Sequence, residues 1–383
     1  SLPKSRFFII RNRNDSSQES GYSIMIQVHV IHGISQLFLE TTKNGLLKKQ
    51  QIILYYEKAF DDSNLLDFEL FDNGEISKGS IGKPDDCISC VSRSHAYNTI
   101  CDLESKYGTG DIVVFFPAHV EPRGIADYFV IMEDDREIMI MDIRTVSTAL
   151  DCMSFLRDVT VEKLGEEMAK SEFLYRSIEY SDSLFLANHN RISPVSLEGV
   201  KEVLCQINSM VELFDLSDDG TLPISLSELP IFNFEDPTRF SPLTSESQIT
   251  PYVGAQSERI VWRSITPMHP ERFSRFIDEN LEFIFRSRGN LWFANCIQNQ
   301  VGWESFANVF SMDRLDTWQT IDISAENYLV LLIQSSRKSK EVIFAELESC
   351  LFTASELASD ASTWIQLPDP LYEAIQQRQE SGE

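Results

Sequence analysis

MIQVHVIHG, residues 25–33, is an apolar run of strand character that ends at a glycine. Strands that are apolar along most of their length are typical of parallel sheets with helices on both faces. Strands with one exposed face alternate apolar and polar residues instead. The stretch therefore predicts a buried strand inside an α/β sheet.

Similar stretches recur along the first half of the chain. They predict further strands around 52–56, 111–116, 137–143 and 183–187. Helical patterns lie between them, and the clearest runs from 193 to 214. Its apolar side chains share one helix face: Leu197, Val200, Leu204 and Ile207. Strands that alternate with helices predict a mostly parallel sheet covered on both faces.

The remaining chain divides by composition. Residues 217–257 are rich in Pro, Ser, Thr and Asp, which predicts a linker with some local docking. Several strands and few helices predict a small α+β domain over 258–360, including strands at 259–265 and 290–296 and a helix that starts at Pro270. The polar residues 1–24 are predicted to be an unstructured leader, 25–216 the first domain, and 361–383 a tail.

The chain carries a formal net charge of −26 and a sequence pI of about 4.6. Such a surface repels phosphate backbones, which argues against direct nucleic-acid binding and suits basic protein partners. An alternative explanation is that the charge only keeps the protein soluble. No apolar run approaches the roughly 18 residues of a membrane span, and the start does not resemble a signal peptide. Seven scattered cysteines form no disulfide framework, so we expect a reducing cytoplasm.

The predicted second domain resembles the C-terminal domain of the CobW-type GTPases. That domain carries a Pro-Phe-His-Pro-x-Arg stretch followed by an Arg-x-Lys-Gly-x-x-Trp stretch. The positions that keep the pattern are Pro267, His269, Pro270, Glu271 and Arg272, then Arg286, Arg288, Gly289 and Trp292, with Arg in place of Lys at 288. The resemblance implies that residues 25–216 are a P-loop-NTPase-like GTPase domain.

The stretch VIHGISQLFLETT stands where the resemblance implies a phosphate loop. Such a loop needs glycines whose N–H groups wrap phosphate, a lysine, and a hydroxyl for magnesium. Gly33 matches the first glycine. Four positions depart from the pattern: Gln36 and Phe38 replace glycines, Leu39 replaces the lysine and Glu40 replaces the hydroxyl residue. A carboxylate at this place repels phosphate.

The other nucleotide motifs depart as well. Phe115 replaces an acid and Ala118 a glycine in FFPAHVEP, and Arg191 replaces the guanine-reading aspartate in NHNR. Arginine only donates hydrogen bonds, so it cannot accept them from guanine. We therefore predict no ordinary hydrolysis of GTP with magnesium, and interpret Gly33 and Asn188 as remnants of a nucleotide site. Residual GTP binding through an unusual loop stays open.

The stretch PDDCISC holds Cys87 and Cys90 three positions apart. In the CobW-type family a Cys-x-Cys-Cys motif binds zinc or a similar ion, and here Ser89 takes the middle position. Zinc favours four ligands. Glu57, where the family has an acid after its second strand, is one candidate for the missing ligands, and His32, beside the degenerate loop, is another; both follow predicted strands, at the edge where ligands gather. A loop without metal and a redox pair are the alternatives.

Residues 87–122 also resemble one branch of the family, the actinobacterial proteins that recruit a ribosome-hibernation factor. Those proteins share an eroded phosphate loop and tend to carry a Cys-x-Ser-Cys motif. This resemblance implies a response to zinc scarcity through protein contacts on the ribosome. Three functions remain: a recruitment protein that uses no nucleotide, a zinc metallochaperone or metal sensor, and a residual GTP-binding protein.

Overall fold

The computed structural model describes most of the chain. The described residues are 25–33, 36–47, 52–58, 65–83, 87–117, 120, 122–134, 140–159, 166–233, 257–306, 309–318 and 324–370. The predicted leader, residues 234–256 of the predicted linker and residues 371–383 of the predicted tail lie outside them.

A large sheet organises the first part of the described chain. Its strands are β1 (Ile26–Gly33), β2 (Ile52–Lys58), β3 (Leu66–Asp72), β4 (Glu75–Ile81), β5 (Gly110–Pro117), β6 (Met141–Asp151), β7 (Ser183–Ala187) and β8 (Glu212–Asp215). They lie in the order β4-β3-β2-β5-β1-β6-β7-β8. All pairings are parallel except those of the β2-β3-β4 meander. The predicted mostly parallel sheet is confirmed.

Strand β1 lies at the middle of this sheet because both of its faces are apolar. It pairs with β5 on one side and β6 on the other. Val28 and Val30 enter the core on one face, and Ile31 enters the core on the opposite face. Burial of both faces is the physical reason that the run at 25–33 lacks strict alternation.

Helices and one non-helical segment cover the large sheet. The helices are α1 (Gln36–Leu47), α2 (Ile88–Tyr107), α3 (Pro122–Asp134), α4 (Cys152–Val159), α5 (Glu166–Tyr180) and α6 (Pro194–Ile207). Helices α2 and α3 pack on one face. On the opposite face, α1 shares the core with Leu222, Leu226 and Leu229. Part of the predicted linker is therefore core material. None of the described helices is long and apolar enough to cross a membrane.

Several element boundaries differ from the predictions; the strand expected around 137–143, for instance, begins at Met141 and continues to Asp151. Two further differences concern one helix and one strand. The helix expected over 193–214 begins after Ser193, which caps it, and ends at Ile207, and the rest of that stretch turns into β8. The strand expected at 290–296 runs from Ile284 to Leu291 instead, and a short 3-10 helix follows it. Both errors arise because apolar periodicity does not mark where the chain must turn.

The second part of the described chain forms an antiparallel sheet. Its strands are β9 (Glu258–Ser264), β10 (Ile284–Leu291), β11 (Asn299–Phe306), β12 (Val309–Thr317) and β13 (Asn327–Ile333), in the order β12-β11-β10-β13-β9. Helices α7 (Pro270–Asn280) and α8 (Lys340–Ser349) pack on one face. The predicted small α+β domain is confirmed.

The chain beyond this sheet folds back onto it. Two short helices, α9 (Ala354–Leu357) and α10 (Ala361–Trp364), follow the domain. The Trp364 ring packs edge-on against Phe352, with ring centroids 5.2 Å apart. Asn295 donates a hydrogen bond to Asp369 at 3.0 Å. The first residues of the predicted tail are thus docked on the second domain.

The two sheets share a core. The face of the antiparallel sheet opposite α7 and α8 contributes Phe285, Phe306, Val330 and Leu332. These side chains pack with residues of α5 and α6, including Leu174, Ile178, Val200 and Leu204. Apolar burial between the layers therefore joins the two parts of the chain.

Arg286 lies inside this junction and is fully buried. Its Nε donates to Glu179 Oε1 of α5 at 2.7 Å, and its Nη2 donates to Glu304 Oε1 of β11 at 3.3 Å. The guanidinium also lies 4.0 Å above the centroid of the Phe306 ring. Burial disfavours the charged form, but the two carboxylates outweigh burial and raise the pKa of Arg286. A buried charge persists only when it is paired in this way.

Glu179→Ala is expected to lower the free energy of unfolding by about 3 kcal/mol or more, because it leaves a buried guanidinium partly unpaired. Urea denaturation measures the change. The control is Glu326→Ala, which removes an exposed partner 3.7 Å from Arg263 and is expected to cost less than about 1 kcal/mol. Equal effects of the two substitutions would contradict the role given to Arg286.

Candidate functional site

The predicted site residues gather at the carboxyl edge of the parallel strands. Gly33 ends β1, Glu57 lies next to the end of β2, and Asn188 follows β7. Helix α2 leads into β5, so its first turn, with Cys87 and Cys90, lies at the same edge. In open α/β sheets this is the edge at which ligands bind.

Gly33 is covered by an apolar side chain. Helix α1 begins at Gln36, three residues after the end of β1 at Gly33. A Cβ on Gly33 would lie 2.3 Å from Leu39 Cγ and 2.5 Å from Leu39 Cδ2. Leu39 is fully buried beside Ile31 and Phe115. A buried leucine therefore packs on the one glycine that matches the phosphate-loop pattern.

Lys43 is the first lysine after that glycine, and it is turned toward the sheet. Its Nζ donates to Glu69 Oε2 of β3 at 3.0 Å. The same ammonium lies 4.0 Å above the centroid of the Tyr55 ring. The carboxylate and the ring together satisfy the buried charge.

The turn at 217–221 lies directly against α1. Gly220 has φ +78°, and a Cβ there would lie 2.0 Å from the Thr41 carbonyl oxygen. A Cβ on Gly45 would likewise lie 2.3 Å from the Gly220 carbonyl oxygen. Only glycine permits this close backbone approach, and at Gly220 the positive φ requires it as well.

The side chain of Asn188 is hydrogen-bonded within the protein. It adopts a left-handed conformation with φ 54°, and its Nδ2 donates to Asp151 Oδ1 at 3.0 Å. Arg191, three residues later, is exposed. The amide that was interpreted as a remnant of guanine recognition thus orders the chain after β7 and links it to β6.

His32 belongs to an aromatic stack across the sheet. It is fully buried, and its ring stacks on Phe116 at a centroid distance of 5.5 Å. Phe116 stacks in turn on Tyr56 at 5.3 Å. Burial lowers the pKa of His32 to about 3, against a smaller opposing effect of the Val120 backbone. The imidazole is therefore neutral at physiological pH.

Glu57 lies on the opposite face of the sheet from His32. Along β2, Tyr56 enters the core under α2, whereas Tyr55 enters the core under α1. Glu57 follows Tyr55 by two residues and shares its face. Burial, and then the neighbouring carboxylates of Glu40, Glu69 and Asp67, raise the pKa of Glu57 although Lys43 opposes them.

Cys87 and Cys90 form a hydrogen-bonded pair at the start of α2. Cys87 is the N-cap, and its Sγ accepts from the Cys90 N–H at 3.3 Å. Cys90 Sγ accepts from Arg93 Nη2 at 3.8 Å. The hydrogen bond between the two thiols lowers the pKa of Cys87 and raises that of Cys90. Cys87 is exposed and Cys90 is half-buried.

The donors in the described part of the chain do not assemble a full zinc site. No group of three or more His, Cys, Asp or Glu side chains there is placed to hold a metal ion. The sheet lies between Glu57 and α2, and His32 is held in its stack on Phe116. Two thiols remain, whereas structural zinc takes four ligands. The zinc site stays a prediction.

Sequence reasoning missed Arg93 and the Lys43–Glu69 pair. Arg93 follows Cys90 by three residues, which on a helix places the two side chains on one face. No helix was assigned to residues 88–107 in particular, so this spacing gave no signal. The partner of Lys43 lies on β3, and no local pattern links them.

The second domain matches a known protein family. Residues 257–351 match the family model described as cobalamin synthesis protein cobW C-terminal domain. The match confirms the predicted resemblance of this part of the chain. Among solved structures, zinc(II)-bound YjiA GTPase from E. coli is 16% identical, covering 86% of this chain and 99% of that chain, with a TM-score of 0.39. A zinc(II)-bound triple mutant of YjiA GTPase is also 16% identical over the same shares, with a TM-score of 0.38.

Gly33→Ala is expected to lower the free energy of unfolding by about 1–3 kcal/mol, because the new methyl group overlaps Leu39. In a Leu39→Ala background the same change is expected to cost much less. A double-mutant cycle by urea denaturation measures the difference, and it should exceed about 0.5 kcal/mol. Strict additivity would show that Leu39 does not occupy the space above Gly33.

Proposed function

We propose that this chain is a protein-recruitment factor that works without a nucleotide cycle. The packing of Leu39 on Gly33 carries the proposal, since a phosphate loop must leave its glycine backbone open to phosphate. The family resemblance supplies the protein class, and the contacts at the carboxyl edge argue against the usual ligand of that class.

Two further contacts support the loss of nucleotide binding. Lys43 neutralises Glu69 and lies over Tyr55 instead of facing a phosphate. The backbone of Gly220 rests on Thr41 of α1, so the turn after β8 meets that helix without a gap. Leu39 covers Gly33 at the end of β1, whereas the other two contacts hold the body of α1 against the sheet and against the turn after β8.

The partner we propose is a hibernation factor that acts on the ribosome in the cytoplasm when zinc is scarce. Three observations support it: the similarity of residues 87–122 to recruiting proteins, the CobW C-terminal-type domain, and the charge of −26. An acidic surface steers a basic partner toward the complex.

The proposed dependence on zinc rests on the family resemblance. Cys87 and Cys90 offer two thiols, and the described residues add no third ligand. A metallochaperone that carries zinc needs a fuller ligand set in this chain. We therefore favour recruitment over metal transfer as the function of this chain.

Isothermal titration with GTP and magnesium is expected to show no heat of binding, because Leu39 covers Gly33 and Lys43 is paired with Glu69 instead of being free to bind phosphate. Thermal unfolding in the same buffer should show no shift with nucleotide. A GTPase with an intact phosphate loop serves as the positive control. Stoichiometric binding of GTP would contradict the first part of the proposal and favour a residual GTP-binding protein.

Affinity capture from lysate, with mass spectrometry of the bound proteins, is expected to enrich ribosomal proteins and a hibernation factor. Enrichment should depend on zinc supply and remain unchanged when GTP is added. A Cys87→Ser/Cys90→Ser variant is the matched control, and it should lose the dependence on zinc. Absence of ribosomal proteins at every zinc level would refute this partner.

A further inference from the structure

We infer that Cys87 and Cys90 form a thiol–disulfide exchange site for low-molecular-weight disulfides. Cys87 is the attacking thiol and Cys90 is the resolving thiol. The inference rests on the geometry of the pair at the start of α2 and needs neither the recruitment role nor nucleotide, and zinc held by the same two thiols would block the exchange.

Cys87 has the position that an attacking thiol needs. It is the exposed cysteine of this chain, since the other six, all within the described residues, are half-buried or buried. It caps the 20-residue helix α2 and accepts the N–H of Cys90 on its sulfur. Its sulfur is therefore accessible to a small disulfide and is held in place at the helix terminus.

Cys90 has the position that a resolving thiol needs. Residues three apart on a helix have Cα atoms about 5 Å apart. Disulfides span Cα separations of about 4.4 to 6.8 Å, so the pair closes with little backbone movement. The backbone N–H of Cys90 already donates to Cys87 Sγ at 3.3 Å.

Arg93 completes the site. Its Nη2 lies 3.8 Å from Cys90 Sγ, and its guanidinium lies 5.0 Å from the centroid of the Tyr128 ring. A fixed cation beside the pair attracts an anionic disulfide and stabilises the negative charge on sulfur during exchange. Zinc coordination needs ligands that the described residues do not add, whereas exchange needs only two thiols and an accessible one among them.

The reaction balances with a disulfide such as that of glutathione as oxidant. The Cys87 thiolate attacks one sulfur of glutathione disulfide, a mixed disulfide forms, and one glutathione thiolate leaves. Cys90 gives its proton to solvent and attacks the Cys87 sulfur, and the second glutathione leaves. The protein loses two electrons and two protons, and the oxidant becomes two thiols.

The test uses the full chain, stripped of metal with a chelator and treated with glutathione disulfide, followed by intact-mass spectrometry. The wild type is expected to lose two hydrogen atoms without a lasting adduct. Cys90→Ser is expected to accumulate one glutathione adduct, mapped to Cys87 after proteolysis. Cys87→Ser is expected to show neither product at this site, and Cys101→Ser, a half-buried cysteine of the same helix, should react as the wild type does.

Circular dichroism confirms that each variant is folded before it is treated. A wild type that stays fully reduced overturns the inference. A wild type that keeps its glutathione adduct overturns the role of Cys90, and reaction of Cys87→Ser at Cys90 at the wild-type rate overturns the role of Cys87.

Discussion

The guanidinium of Arg286 is a charge without access to water, and the way the two sheets meet depends on it. Its carboxylate partners come from Glu179 on α5 and Glu304 on β11, so the network crosses the junction. Apolar side chains from both sheets close around it, and the low dielectric strengthens each hydrogen bond. The relative placement of the two parts therefore has to keep this buried charge paired as well as bury the apolar side chains around it.

The large sheet carries core side chains on both of its faces, and it separates the residues of one face from those of the other. Alternation along β2 sends Glu57 to the side of α1, while His32 and the first turn of α2 belong to the other side. The sheet thus separates the cysteine pair from Glu57, while His32, on the same side as the pair, is held in its stack on Phe116. What the pair has is an exposed sulfur, a helix terminus and a second thiol one turn away. Those features suit exchange between sulfur atoms better than the full coordination of a metal ion.

Much of the fold was predictable from local patterns. The doubly buried strands, the capped helix α6 and the motifs of the second domain each carry a short-range signal. The meander through β3 and β4 was not predicted, since β4 is largely exposed and polar, although Asn73-Gly74 between the two strands is the dipeptide of a tight hairpin turn and both residues have positive φ. The packing of Leu222, Leu226 and Leu229 against α1 was not predicted either, since isolated leucines between prolines and serines do not reveal which surface they cover.

The motif departures at Leu39, Glu40 and Arg191 can be read without coordinates, because residue chemistry alone says which groups accept, donate or carry charge. The same holds for the α/β class and for the spacing of Cys87 and Cys90. Which of these residues meet one another was decided only by the folded chain. Leu39 covers Gly33, Lys43 reaches Glu69 and Glu57 faces away from α2. Contacts of this kind depend on strand order and on which sheet face a side chain takes, and both follow from burial summed over the whole sheet.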